Sequence, residues 1–238
     1  MEKSKFEKFI NKYNLNGACE SVIIKCDDTT TQASGMSEDK NIVCIVKAPT
    51  MNIPSGEYPV YETKKLKALL NVLNENLTVD VNTVNDTPVN LGFSDAQSEV
   101  VFVLADAQVI PPVPKINEPT FELTIDMDEK FISTFVKAKN ALSDVDNFAI
   151  VSNGKTNTVD VIIGYSSLNK NTVKLKATAN QAVQMAPVNF SAKYLRDILV
   201  SNKDATGGKL YISSKGMAKT TFEVDNVTAT YYLIKLTT

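Results

Sequence analysis

Residues 59–73 read PVYETKKLKALLNVL, and residues 187–200 read PVNFSAKYLRDILV. Each stretch begins with an extended Pro-Val pair and continues into apolar residues spaced as on one face of a helix. When Tyr61 is aligned with Phe190, three leucines fall on matching apolar positions, namely Leu66 on Leu195, Leu69 on Ile198 and Leu70 on Leu199. The two stretches therefore predict one structural unit that occurs twice in the chain.

The order of predicted elements around these stretches is also the same in both halves. A helix comes first, then strands, then a second helix, then more strands, and EKFI at 7–10 recurs at 129–132. The separation of matching residues grows from 122 to 129, which implies an insertion in the second half. The alternative is that any two mixed segments align over a few leucines, since helix and strand patterns have few templates. The shared order favours duplication.

Most of the remaining chain has the pattern of antiparallel strands. In LTVDVNT, Leu77, Val79 and Val81 alternate with polar residues, as in a half-buried strand. Helical periodicity is confined to windows 3–13, 62–74, 128–142 and 191–203, and Ser191 is the expected N-cap of the last. These patterns predict an α+β fold with antiparallel sheets and four helices.

A proline-rich segment, VIPPVPKINEP, occupies residues 109–119. Proline cannot donate a backbone hydrogen bond to a sheet and favours extended geometry. We therefore expect a connector at 109–119, an N-terminal domain at 1–108 and a C-terminal domain at 120–238.

The composition removes several classes of chemistry. The 238 residues include no histidine, which excludes Ser-His and Cys-His catalytic pairs and the commonest transition-metal ligand. Cys19, Cys26 and Cys44 have no CxxC spacing, and neither GxxxxGK[ST] nor GxGxxG occurs. No catalytic residue, metal site or cofactor is predicted, and we expect a protein that is not an enzyme.

The positive charge is concentrated on the predicted helices. The net charge is −2, yet the four helical windows hold 13 of the 25 Lys and Arg residues and 5 of the 27 Asp and Glu residues. At about 100° per residue, the basic positions fall away from the apolar stripes. The predicted phosphate-binding residues are Lys5, Lys8, Lys12, Lys64, Lys67, Lys130, Lys137, Lys193, Arg196 and Lys203.

A simpler explanation for any one helix is that lysine is a good exposed helix former. Four basic helices in a chain with acidic excess elsewhere favour a binding surface instead. Because this surface lacks interleaved aromatic residues, it suits phosphates rather than stacked bases. The pattern therefore predicts sequence-independent contact with DNA, with an acidic exterior that repels it.

The sequence resembles a known family, the sliding clamps of the proliferating-cell-nuclear-antigen fold, and in particular those of T-even-type bacteriophages. The residues that carry the resemblance lie mainly in 55–238. They are YPVYETKKLKALLNVLNENLTVDVN (58–82), ADAQVIPPVPKINEPTFELTIDMDEKFISTFVKAKNAL (105–142) and VNFSAKYLRDILVSNKDATGGKLYISSKGMAKTTFEVDNVTATYYLIKL (188–236). The first 50 residues match mainly in pattern.

The resemblance implies a homotrimeric ring that encircles double-stranded DNA, with sheets outside and the four helices lining the pore. It implies a processivity factor for a replicative DNA polymerase, loaded by an ATP-driven clamp loader, in the cytoplasm of a host bacterium. In T-even-type phages the clamp also activates late transcription, so late-transcription factors are further candidate partners.

The resemblance also implies two protein contact sites. Subunits are expected to meet through two strand edges, Val100, Val101, Phe102 and Val103 against Thr172, Val173, Lys174, Leu175 and Lys176. Partner peptides are expected in an apolar pocket formed by Val109, Ile110, Val113, Tyr232 and Leu233. The alternative for the pocket residues is ordinary packing of the connector and of a core strand.

Two other functions compete with a clamp. A β-rich capsid or tail protein of a phage would explain the strands but not the four basic helix faces. An enzyme with paired carboxylates needs two acidic residues in a distinctive setting, and no such pair stands out among the Asp and Glu residues.

Overall fold

The computed structural model describes residues 1–168 and 170–236. Asn169, Thr237 and Thr238, which fall in the predicted C-terminal domain, lie outside the described residues. The described chain forms four helices, α1 (Lys3–Asn14), α2 (Thr63–Leu70), α3 (Glu129–Ala141) and α4 (Ala192–Ser201). Its strands are β1 (Val22–Cys26), β2 (Thr30–Met36), β3 (Ile42–Pro49), β4 (Gly56–Val60), β5 (Thr78–Val84), β6 (Thr87–Ser94), β7 (Glu99–Val103), β8 (Leu123–Asp128), β9 (Asn147–Asn153), β10 (Thr158–Ile163), β11 (Val173–Thr178), β12 (Gln184–Ser191), β13 (Gly207–Ser213), β14 (Met217–Val224) and β15 (Val227–Ile234).

The α+β class, the antiparallel sheets and the four helices are confirmed. Helix α2 ends at Leu70, four residues before the end of the predicted window 62–74. The Val72 and Leu73 N–H groups donate to carbonyls only three residues earlier, at 3.1 Å each, so the chain tightens out of α geometry there. Apolar periodicity continues through that tighter turn, and for this reason it overstated the length of α2.

The chain divides into two compact units. Unit 1 contains Met1–Glu38, Val43–Pro114 and Asp225–Ala229, and unit 2 contains Asp39–Ile42, Lys115–Val224 and Thr230–Thr238. The segment from Pro111 to Glu122 is neither helix nor strand. This irregular segment includes most of the proline-rich stretch that sequence predicts as a connector.

In unit 1, strands run antiparallel in the orders β4-β1-β2-β3 and β5-β6-β7. Alternation along β2 buries Thr31, Ala33 and Gly35 on one face, and this face is opposite the exposed Lys47 of β3. Helices α1 and α2 pack against each other, and Lys67 Nζ joins them by donating to Asn11 Oδ1 at 2.7 Å.

In unit 2, strands run in the orders β11-β10-β9-β12 and β8-β13-β14, with the Thr230–Ile234 part of β15 following β14. Helices α3 and α4 pack against each other and against this β structure. Each unit thus has a first helix, strands, an extended strand leading into a second helix, and further strands. This common layout agrees with the predicted duplication.

The core of unit 2 is built on a chain of phenylalanine rings. Phe148 of β9 lies 5.6 Å from Phe135 of α3 in an edge-on arrangement and 5.8 Å from Phe190 of β12, between ring centroids. All three side chains are fully buried. The Phe148 ring of β9 therefore packs against both α3 and β12.

We expect Phe148→Ala to lower the free energy of unfolding by about 3–5 kcal/mol, because a large cavity replaces buried aromatic contacts. Chemical denaturation monitored by circular dichroism would measure the change. Val200→Ala, on the exposed surface of α4, is the control and should shift stability by about 0.5 kcal/mol or less. Equal stability of Phe148→Ala and the unmodified chain would contradict the packing described here.

Candidate nucleic-acid interface

In unit 1 the apolar positions of α1 and α2 face inward, as the periodicity predicts. The buried side chains are Phe6, Phe9, Ile10, Tyr13, Leu66 and Leu70. The exposed predicted lysines on these helices are Lys5, Lys8 and Lys64, while Lys67 is half-buried. The two helices thus present basic side chains on the flank that the apolar stripe leaves open.

Two of these lysines already have partners within unit 1. Lys5 Nζ lies 2.8 Å from Glu2 Oε1, and this hydrogen bond raises the pKa of Lys5. Lys67 is engaged with Asn11, as described above. Glu2 therefore offsets the charge of Lys5, and Lys8 and Lys64 contribute the more available positive charge.

The structure corrects the prediction for Lys12. Its side chain was expected on the exposed basic face of α1, but the residue is 3% exposed. A helical wheel places Lys12 beside Lys5 and Lys8, yet it contains no information about which neighbouring part of the chain covers the last turn of the helix. We therefore remove Lys12 from the candidate surface.

In unit 2 four of the predicted lysines are exposed on α3 and α4 or directly after α4: Lys130, Lys137, Lys193 and Lys203. Both helices begin with side-chain caps. Asp128 Oδ1 accepts from the Phe131 N–H at 2.7 Å, and Ser191 Oγ accepts from the Tyr194 N–H at 3.2 Å. The predicted N-cap at Ser191 is confirmed, and these caps fix where each basic helix starts.

The remaining predicted basic residue, Arg196, is in an ion pair. Its Nε and Nη2 atoms both donate to Asp197 Oδ1, at 3.0 and 2.6 Å. Nearby on α3, Lys139 is buried and its Nζ donates to the carbonyls of Leu142 and Ser143 at 3.1 Å each. Sequence reasoning assigned no role to Asp197, although an acid beside the single arginine of a basic helix is a visible signal.

The two predicted subunit-contact strands, β7 in unit 1 and β11 in unit 2, lie at the ends of the strand orders in their sheets. Val101 and Val103 are exposed, at 47% and 73%, whereas Val100 and Phe102 are buried. On β11, Lys174 and Lys176 are exposed, Val173 is half-buried and Leu175 is buried; Thr172 lies one residue before the strand.

The hydrogen-bond register determines which backbone groups face outward from these strands. The Leu104 N–H donates to the Val89 carbonyl at 2.9 Å, and the alternation of an antiparallel ladder then directs the backbone groups of Val101 and Val103 away from β6. Likewise, the Ala179 N–H donates to the Asn157 carbonyl at 2.7 Å, which directs those of Lys174 and Lys176 away from β10.

The predicted peptide-pocket residues differ in accessibility. In unit 1, Val109 is exposed, Val113 is half-buried and Ile110 is buried. In unit 2, Tyr232 and Leu233 of β15 are buried. Since Leu233 has no exposed surface, its position is that of a core residue, in line with the alternative considered for it.

Tyr232 belongs to a polar cluster that sequence reasoning missed. Its hydroxyl donates to Glu118 Oε1 at 2.6 Å, and Lys219 Nζ donates to the same oxygen at 2.8 Å. Lys219 also lies 5.4 Å from the Tyr211 ring centroid. The hydrogen bond from Lys219 lowers the pKa of Glu118, while burial raises that of Tyr232. The cluster ties Glu118 to the sheet of unit 2.

The described residues contain no group of three or more Cys, Asp or Glu side chains arranged to hold a metal ion. Among the same residues, no helix has the length and apolar character needed to cross a membrane.

Neither a protein-family model nor a curated protein matches the sequence. Among solved structures, the fold is similar to the crystal structure of Proliferating Cellular Nuclear Antigen from Entamoeba histolytica, with a TM-score of 0.75. The two chains are 15% identical, and the match covers 99% of this chain and 96% of that chain. The chain therefore has the fold of that protein over nearly its whole length.

Proposed function

We propose that this chain is a sliding clamp, a DNA polymerase processivity factor without enzymatic activity that assembles as a homotrimeric ring around double-stranded DNA. The observation that carries the proposal is the placement of exposed lysines on all four helices of a chain with this fold. A chain with a net negative charge would bind DNA poorly if its charges were evenly distributed. Here the positive charges are concentrated on the helices, so the net charge does not exclude binding to DNA.

The proposed DNA surface consists of exposed cations from both units. These are Lys5, Lys8, Lys64, Lys130, Lys137, Lys193 and Lys203, together with the half-buried Lys67 and Arg196. Lysine amino groups on flexible stems bind phosphates as point charges, and contacts with phosphates carry no base-sequence information directly. Such contacts hold any sequence equally, which is what a protein that moves along DNA requires.

The proposed subunit contact pairs β7 of one chain with β11 of the next. Both strands have backbone donors and acceptors directed away from their own sheets, and an unpaired edge is a template for pairing with another chain. A head-to-tail contact of this kind is heterologous, so three copies can close a ring. The domain boundaries at 108, 109–119 and 120 are proposed with it, as the two repeats of each subunit and the connector between them.

We further propose a replicative DNA polymerase and an ATP-driven clamp loader as partners, and late-transcription factors if the chain belongs to a T-even-type phage. The exposed Val109 and half-buried Val113 offer apolar contact area for a partner peptide. Ile110 is buried and would support that area from beneath rather than meet the peptide first, while Tyr232 is buried within unit 2.

Threading onto DNA with free ends tests the ring without any loader. A linear duplex is tethered to a bead at one end, the protein is added, and the other end is then blocked with a bulky protein. We expect the chain to stay bound through a high-salt wash and to leave when a restriction enzyme frees the blocked end. Retention that is equal with one end free would contradict a ring, because only a topological link depends on blocked ends.

The mass of the native assembly checks the same proposal independently. Light scattering should give three times the mass of the chain. Large or open-ended assemblies would instead support the alternative of a phage structural protein.

A further inference from the structure

The contact between Arg196 and Asp197 differs from the contacts of Lys5 and Lys67 on the proposed DNA surface because it joins consecutive residues of one helix. Consecutive residues on a helix point about 100° apart and do not normally face each other. The Arg196 side chain therefore has to bend back for Nε and Nη2 to reach one oxygen of Asp197. This bend holds the guanidinium in one orientation.

Asp197 is an unfavourable residue for its place. It is 4% exposed, and burial raises the pKa of its carboxyl, while the hydrogen bond from Arg196 and the positive charges of Lys193 and Lys139 oppose that rise. Burying a carboxylate costs free energy that an ion pair often only recovers. An acid here also weakens the attraction of the surface for phosphates. Overall charge therefore gives no reason for this acid, although the nearby charge of the buried Lys139 offsets part of the cost of burying it.

The orientation of the arginine does give a reason. A guanidinium has five N–H groups in a fixed plane, and the Asp197 contact uses two of them. The arginine side chain remains 26% exposed, so N–H groups are left for a second acceptor. A planar donor that is already oriented can bind a phosphate at two points with little loss of rotamer entropy.

We infer that Asp197 is a positioning residue for DNA binding: it orients the Arg196 guanidinium so that its remaining N–H groups bind one backbone phosphate. The inference rests on the proposed function of the four basic helices. In each subunit it distinguishes one oriented guanidinium contact from the point-charge contacts of the lysines.

The sign of the effect of Asp197→Asn separates this inference from simple electrostatics. The substitution removes a negative charge, so charge alone predicts tighter binding to DNA. Loss of positioning predicts weaker binding, by about five- to tenfold, since a hydrogen bond to a charged group is lost or loosened. Fluorescence anisotropy with a labelled mixed-sequence duplex at low salt, on the full-length protein, measures the change.

Three further variants complete the test. Arg196→Ala should weaken binding at least as much as Asp197→Asn, and adding Asp197→Asn to Arg196→Ala should weaken it no further, because the acid acts through the arginine. Arg196→Lys keeps the positive charge but loses the planar guanidinium with its paired N–H donors. This variant should therefore bind DNA nearly as weakly as Arg196→Ala. It also keeps the inference testable if Asp197→Asn fails to fold.

Tighter binding by Asp197→Asn, or unmodified affinity in Arg196→Lys, would overturn the inference. The proposed function fails in a different way. If Lys64→Glu combined with Lys137→Glu leaves affinity for the same duplex unchanged, the helices are not the DNA surface at all. If that double variant loses affinity while Asp197→Asn does not, the result supports the proposed function and contradicts only the positioning role of Asp197.

Discussion

Lys64→Glu combined with Lys137→Glu should weaken binding to DNA, and so lower the amount of protein that threads onto a duplex before its end is blocked, while leaving the chain folded. One substitution lies on α2 in unit 1 and the other on α3 in unit 2, so each basic helix pair is altered once. Both side chains are exposed, and neither belongs to the buried faces of its helix. The fold should therefore tolerate both changes with little loss of stability.

The size of the expected effect follows from the electrostatics of phosphate contact. Proteins that contact about 6–10 phosphates lose roughly 10³–10⁵ in affinity when salt rises from 50 to 200 mM, which shows how much of such binding is charge. Each Lys→Glu change reverses a charge rather than removing it, and a trimer multiplies the change by three. We expect affinity for a short duplex to fall by at least about tenfold, with a shallower salt dependence.

A matched control uses lysines that lie outside the helices. Lys47 of β3 and Lys155, which follows β9, are both exposed, one in each unit. Lys47→Glu with Lys155→Glu changes the net charge by the same amount as the test variant. If the helices are the DNA surface, the control should keep most of its affinity for the duplex. Equal loss in both double variants would mean that total charge decides binding, which would contradict a localised DNA surface.

Much of the fold could be predicted because its local signals agree with each other. The stripe of Leu195, Ile198 and Leu199 is buried as a unit, and Ser191 caps the helix that carries it. The alternation of apolar and polar residues in LTVDVNT (77–83) correctly predicted a strand, β5, which begins at Thr78. When capping, periodicity and turn residues all favour one structure, tertiary contacts rarely override them.

The details of the candidate surface were harder to predict, since they depend on what covers each helix. Periodicity identifies the side of a helix that faces the core but not how far neighbouring segments extend over its flanks. Lys12 was therefore misplaced. The bend that brings Arg196 to Asp197 depends on side-chain torsions, and no spacing rule predicts a contact between consecutive helical residues.

Val101→Pro should convert the proposed trimer to a monomer without unfolding it. The backbone N–H of Val101 points away from β6, so proline removes no hydrogen bond within unit 1. Val101 is 47% exposed and lies outside the buried core, so little packing is lost. The substitution removes a hydrogen-bond donor to the next subunit, worth about 1 kcal/mol net. The proline ring also blocks the close approach that two paired strands need.

The same argument applies to Lys176→Pro on β11, whose backbone N–H points away from β10. Light scattering of either variant alone should give the mass of a single chain, and neither should be retained on end-blocked DNA. Circular dichroism should match that of the unmodified protein. A trimer that persists in both variants would show that subunits meet elsewhere.

Mixing the two variants gives a result that a general loss of stability cannot produce. Val101→Pro keeps an intact β11, and Lys176→Pro keeps an intact β7, so one working contact is available between the two proteins. An equimolar mixture should therefore form a heterodimer and no larger assembly. The remaining edges, β7 of the Val101→Pro protein and β11 of the Lys176→Pro protein, are both blocked. A dimer in the mixture, with monomers in the separate solutions, would assign both edges at once. Monomers throughout the mixture would contradict the pairing of β7 with β11, because the intact edges would have met and failed to bind.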